Sequence, residues 1–127
     1  MKKGLKTIAL LISVMMALSA CAAVVVGGAA AGATYTYIAG WMHKEYGVGL
    51  GKAYAATIKA VQKHGLVINE KGKDVTTAFV RAKGAKREIW INLKRISRHV
   101  TKISIRVGVL GDKEAARIIH QSIADYL

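Results

Sequence analysis

The sequence predicts an α+β domain: an antiparallel meander sheet of four to five strands with two helices packed on one face, preceded by a signal peptide and a small-residue tether. Three observations predict it. The segments Arg87 to Ile96 and Val100 to Val109 alternate apolar and polar residues with the period of a half-buried strand. Two others, beginning at Leu50 and after Asp112, repeat apolar residues at helical spacing. The links between segments are too short for parallel crossovers, so neighbouring strands are expected to run antiparallel.

Taken in order, Thr34 to Tyr46 begins by alternating aromatic and small residues (Tyr35, Tyr37), which suits one strand or an extended lead-in. Gly47, Gly49 and Gly51 mark a turn. From Leu50 a helical stripe of Leu50, Ala53, Tyr54, Thr57, Ile58 and Val61 opposes Lys52, Lys59 and Lys63. His64-Gly65 ends it, with positive charge in the last turn and glycine after the cap. Leu66 to Lys71 is a strand closed by Lys71-Gly72-Lys73-Asp74. Val75 to Lys83 is the next; Phe79 and Val80 point to opposite faces, and the segment does not decide which is inward. Gly84-Ala85 turns into the third, where Ile89, Ile91 and Leu93 face inward and Glu88, Trp90, Asn92 and Lys94 outward. After Ser97-Arg98-His99, Ile103, Ile105, Val107 and Val109 oppose Lys102, Ser104 and Arg106. Asp112 caps a closing helix with Glu114 in its first turn and a stripe of Ala115, Ile119, Ser122, Ile123 and Tyr126.

The N-terminal segment has a different make-up. Lys2, Lys3 and Lys6 precede an uncharged apolar run from Ile8 to Ala17, the order of a secretory signal. Leu18-Ser19-Ala20-Cys21 resembles a bacterial lipobox. That resemblance implies cleavage between Ala20 and Cys21, a diacylglyceryl group on the Cys21 thiol and acylation of the new amino terminus. Two or more acyl chains give stable membrane attachment, whereas one gives only reversible binding. A buried free thiol and an uncut transmembrane anchor are the other readings of the segment. The anchor is disfavoured by Gly27, Gly28, Gly32 and Gly40, which interrupt the uncharged stretch between Lys6 and Lys44. Ala22 to Ala33 holds only alanine, valine and glycine and reads as a tether, although Gly28 and Gly32 have the spacing of a helix-pairing face. The chain divides into residues 1–20 (signal peptide), 21–33 (lipidated cysteine and tether) and 34–127 (one domain). In enterobacterial lipoproteins an aspartate after the lipobox cysteine tends to retain the protein in the inner membrane. Ala22 stands there, so the expected location is the outer membrane facing the periplasm.

Removing 20 of the 127 residues takes three of the 20 basic residues and none of the seven acids, leaving 17 against 7. With Cys21 acylated no disulfide is available, and with no proline in the chain the fold rests on packing and hydrogen bonds.

The run from Leu18 through Cys21 to Gly27-Gly28, together with Val100-Thr101-Lys102-Ile103-Ser104-Ile105-Arg106-Val107-Gly108 and Gly111-Asp112, is similar to small bacterial lipoproteins of the DUF3568 family. The resemblance covers most of the chain. It implies a lipoprotein of this architecture and supplies no catalytic residue.

Charge is the clearest functional signal of the folded part. Arg81, Lys83, Lys94, Arg95, Arg98, Lys102 and Arg106 are candidates for an anion-binding patch, since outward residues of neighbouring strands gather on one face. Trp90 between them is a candidate for stacking on a sugar or resting at a membrane surface. The expected partners are the membrane through the lipid, then anionic lipid, an acidic envelope polymer such as lipopolysaccharide, another envelope protein or a second copy. Nucleic acid, suggested by an isoelectric point of about 10.1, conflicts with an export signal. His43, His64, His99 and His120 lack metal-ligand spacing and most of them read as surface or capping residues, and no cofactor is expected beyond the covalent lipid. Gly47-Val48-Gly49-Leu50-Gly51 matches neither nucleotide fingerprint. The expected role is non-catalytic, with a hydrolase of unrecognised geometry as the remote alternative.

Overall fold

The computed structural model describes residues 2–13 and 35–127. The chain separates into two units, Met1–Ala33 and Thr34–Leu127. In the first, residues 2–13 form an exposed helix, α1. Ala20, Cys21, the cleavage point and the tether with Gly28 and Gly32 lie outside the described residues. No helix among the described residues is long and apolar enough to cross a membrane.

The second unit is an α+β sandwich of one antiparallel sheet and two helices. Its elements are β1 (Thr36–Ile38), β2 (Trp41–Tyr46), α2 (Leu50–Lys63), β3 (Val67–Lys73), β4 (Thr77–Lys83), β5 (Glu88–Ser97), β6 (Val100–Val107) and α3 (Lys113–Asp125). The six strands are ordered β1-β2-β6-β5-β4-β3. β3 to β6 form the expected meander. α2 then crosses the sheet, because β2 pairs with β6 near one edge while β3 lies at the other.

The expected count of four to five strands is corrected to six. The segment from Thr34 to Tyr46 is not one strand: it folds back at Ala39 (φ 50°) and Gly40 (φ 86°), so that Tyr37 pairs with Met42. Ala-Gly is a weak turn signal, because alanine rarely adopts a positive φ. Gly51 belongs to the first turn of α2 and not to the preceding loop, and Gly72 and Lys73 extend β3.

The inward alternation of β5 and β6 is observed: Ile91, Ile103 and Ile105 are completely buried, with Ile89, Leu93 and Val107 beside them. Val109, expected inward, is 76% exposed, since β6 stops at Val107 and the chain turns at Gly108. In β4 it is Val80 that faces the helices. Phe79 lies on the outer face over Gly72 of β3, so close that a β-carbon there would stand 2.7 Å from the ring. The core-facing side of α2 is carried further by Ala56 and Ala60, with Tyr54 and Ile58 only half-buried. α3 buries Ala116 and His120 in place of Ala115 and Tyr126. Alanines under helices let α2 approach the sheet closely.

The helix ends follow local chemistry. At the end of α2 the Gly65 N–H reaches the Gln62 carbonyl (3.0 Å) and the Leu66 N–H that of Val61 (3.2 Å), a Schellman closure that needs the positive φ of Gly65 (68°). Asp112 caps α3, its carboxylate accepting the Ala115 N–H at 3.0 Å.

Candidate functional site

Both helices cover one face of the sheet, so the other face is left for function. Strand register orders its side chains into rows. Arg106 of β6, Trp90 of β5, Arg81 of β4 and Glu70 of β3 are successive partners across four strands. His43, Ser104, Asn92 and Phe79 form the next row, and Glu45, Lys102, Lys94 and Thr77 the one after.

Five of the seven candidate cations thus share this face: Arg81, Lys83, Lys94, Lys102 and Arg106. Their surroundings differ. Arg81 donates to Glu70 at 3.0 Å and lies over the Phe79 ring, 5.8 Å from its centroid. Arg106 donates through Nε to the Gly108 carbonyl (3.4 Å) and through a terminal nitrogen to that of Val109. Lys83 stands opposite Glu88. Lys94 and Lys102, by contrast, face each other directly, and neither is in an ion pair among the described residues. Like charges so placed repel, which makes this pair costly unless an anion sits across it.

Arg95 and Arg98 do not join the face. Arg95 pairs with Thr101, whose side chain is on the helix side, and Arg98 lies in the β5–β6 turn. Both are exposed at the end of the sheet beside Lys94 and Lys102. Trp90 is half-buried between Arg81 and Arg106. It borders an open cleft of about 870 Å³, walled by Lys83, Lys86, Glu88, Val109 and Leu110 among others. His43 lies on the outer face with its Nδ1 2.6 Å from Ser104 Oγ. Partial burial, then the charge of Lys102, holds its pKa below the usual imidazole value. No group of three metal-ligating side chains occurs among the described residues.

His120 is a histidine that departs from the surface or capping role expected of most of them; it is completely buried. Its Nε2 lies 3.0 Å from the Met42 carbonyl, which only accepts, so that nitrogen carries the proton. Nδ1 therefore accepts from the Tyr46 hydroxyl at 2.8 Å, and the same hydroxyl is 3.1 Å from the His120 carbonyl. Tyr35 meets the ring edge-on. Burial holds the His120 pKa down to about 4 and pushes the Tyr46 phenol up. Closed off from solvent, the pair ties α3 to β2. A histidine four residues after Ala116 and one after Ile119 continues the apolar stripe, the signal that places it inside. His64 is the capping residue of α2, its Nε2 2.6 Å from Ser122 Oγ, while His99 is exposed in the hairpin turn.

Comparison with curated proteins gives no match. The sequence model of a family described as a protein of unknown function, DUF3568, matches residues 4–126, nearly the whole length, and the chain belongs to that family.

Proposed function

We propose that this is a lipid-anchored bacterial envelope lipoprotein whose domain binds anionic partners, without catalysis, through the basic outer face of its sheet. The anchor reading is supported by the order of Lys2, Lys3 and Lys6, the apolar run and Leu18-Ser19-Ala20-Cys21. The family match begins at residue 4 and so includes that leader. In a host with two membranes the proposed location is the outer membrane, facing the periplasm.

The observation that carries the binding role is the Lys94–Lys102 opposition, with Arg95 and Arg98 beside it and Glu45 as the acid across the strand. Elsewhere on the face the signs are interspersed, Glu70 with Arg81 and Glu88 with Lys83; at this one pair two lysines are left facing each other. Attraction of this kind is ion-strength dependent.

Intact mass of the protein extracted from host membranes tests the anchor. The expected chain starts at Cys21 with added acyl mass, and Cys21→Ser loses that mass. An unmodified chain starting at Met1 overturns it. Retention of the detergent-solubilised protein on immobilised heparin, a generic polyanion, tests the face. Wild type is expected to elute at markedly higher salt than Lys94→Glu/Lys102→Glu; equal elution overturns binding through these residues.

A further inference from the structure

The unpaired cations coincide with the end of the sheet where the chain enters the domain. Thr36 of β1 pairs with His43, and β2 runs from there to Tyr46, which pairs with Thr101 beside the β5–β6 turn. Tyr35 therefore lies toward the hairpin end. Lys94, Arg95, Arg98 and Lys102 gather at that end. The acids there are Glu45, opposite Lys102, and Asp74, whose carboxylate accepts its neighbour's N–H, that of Val75, at 2.7 Å.

Two large apolar side chains protrude from the same place. Ile96 stands in a bulge between Arg95 and Ser97 and is 48% exposed; Val75, in the β3–β4 turn, is 74% exposed. The β3–β4 turn adjoins the last residues of β5, since the Arg95 N–H donates to the Thr76 carbonyl at 2.8 Å. A lone exposed isoleucine means little. Two apolar tips, one on a turn and one on the strand end beside it, with cations around them, have the composition of a surface that meets a lipid interface: positive charge for phosphates and apolar tips for the acyl boundary.

We propose that this end of the domain docks on the anionic surface of the bilayer that holds the anchor. Lys94, Arg95, Arg98 and Lys102 face headgroup phosphates, and Ile96 and Val75 enter the interfacial layer. The proposal rests on the anchor reading above. Tyr35 is 14 positions after Cys21, a reach of at most about 50 Å. Such a tether keeps the domain at high effective concentration over the surface, where individually weak attractions suffice.

The test uses the full lipidated protein carrying Ile96→Cys, with an environment-sensitive fluorophore on the new thiol; acylated Cys21 does not react. A matched probe at Leu110→Cys reports the opposite end of the sheet, where Leu110 is 92% exposed. The protein is reconstituted on phosphatidylcholine vesicles with and without one-third phosphatidylglycerol. The expected result is a blue shift and a several-fold gain in intensity for the Ile96 probe on the anionic vesicles alone. High salt and Lys94→Glu/Arg98→Glu both abolish it, and the Leu110 probe stays unchanged. If the protein floats with neutral vesicles but the Ile96 probe ignores phosphatidylglycerol, docking is overturned while the anchor stands. A response of equal size on neutral vesicles, or at Leu110, also overturns it. If the protein floats with neither vesicle, the anchor reading fails and docking goes with it.

Discussion

At the Gly108 end of the sheet three arginines have been given partners within the protein. Arg87 reaches Asp112, Arg117 reaches Glu114, and Arg106 turns to the carbonyls of Gly108 and Val109. At the opposite end Lys94, Arg95, Arg98 and Lys102 make no ion pair among the described residues, and two lysines face each other across neighbouring strands. One end commits its arginines to bracing a loop and a helix start, with Lys83, Lys86 and Lys113 outside those pairs; at the other, all four cations stay outside any ion pair among the described residues. The difference teaches that net charge alone is a poor guide to a binding surface, because identical residues are silenced or exposed by what the register sets opposite them.

Unlocking the braced end is expected to have the largest effect. A β-carbon at Gly111 (φ 81°) would stand 2.6 Å from the Gly40 α-carbon and 2.7 Å from its carbonyl oxygen. Neither backbone atom can yield without separating the β1–β2 turn from the β6–α3 loop. Gly111→Ala is expected to cost about 3 kcal/mol or more in chemical denaturation, from the clash and the left-handed backbone together. A loss below about 1 kcal/mol would show that the loop does not brace this end.

Acid separates stability from charge. His120 is held neutral when folded, with a pKa of about 4, whereas an unfolded histidine titrates near 6.5. Above pH 6.5 both states are neutral and the native advantage is complete. As pH falls from about 6.5 to 4 the unfolded state takes up a proton first, and stability is lost, by roughly 3 kcal/mol over the window. His120→Gln is expected to be destabilised at neutral pH and to lose this part of the pH dependence, as denaturation at stepped pH would reveal. Heparin retention of still-folded protein, carried by the hairpin end and not by His120, is expected to persist to pH 5.

A smaller effect is expected at the start of α3. Asp112→Ala removes both the cap on the Ala115 N–H and the partner of Arg87, while Arg87→Ala removes only an exposed ion pair. The thermal midpoint should fall by about 5 °C for the first and hardly at all for the second. Equal losses would mean that the ion pair, not the cap, is what holds the turn.

The clean alternation of β5 and β6, the Asp112 cap and the His64-Gly65 stop were legible in the sequence because each depends on local chemistry alone. The hairpin at Ala39-Gly40 was not, because its positive backbone angles are sustained by the approach of Gly111 from the loop after β6, adjacent in space but distant in sequence. The face of Phe79 was undecidable for a similar reason: the ring is outward because Gly72, on another strand, leaves room beneath it. At the candidate site the sequence supplied seven cations and one tryptophan. Only register could divide them, pairing Arg81 with Glu70 and opposing Lys94 to Lys102. His120 escaped because its place in the apolar stripe is a faint signal, while the partners that satisfy a buried ring lie on β2, far away in sequence.

The smallest effect is the most discriminating. Lys94 and Lys102 repel across a directly opposed pair, so Lys94→Glu replaces repulsion by attraction. Denaturation should show a gain of a few tenths of a kcal/mol, small because both groups are near solvent. The same variant should elute earlier from heparin, since it removes one cation and neutralises its neighbour. Stability and binding then move in opposite directions, which a cation kept only for folding cannot produce. If Lys94→Glu loses both, the lysine supports the strand pair by packing its aliphatic stem. If it gains stability and keeps full retention, the anion meets Arg95 and Arg98 at the hairpin tip, and the binding surface is the end of the sheet without its face.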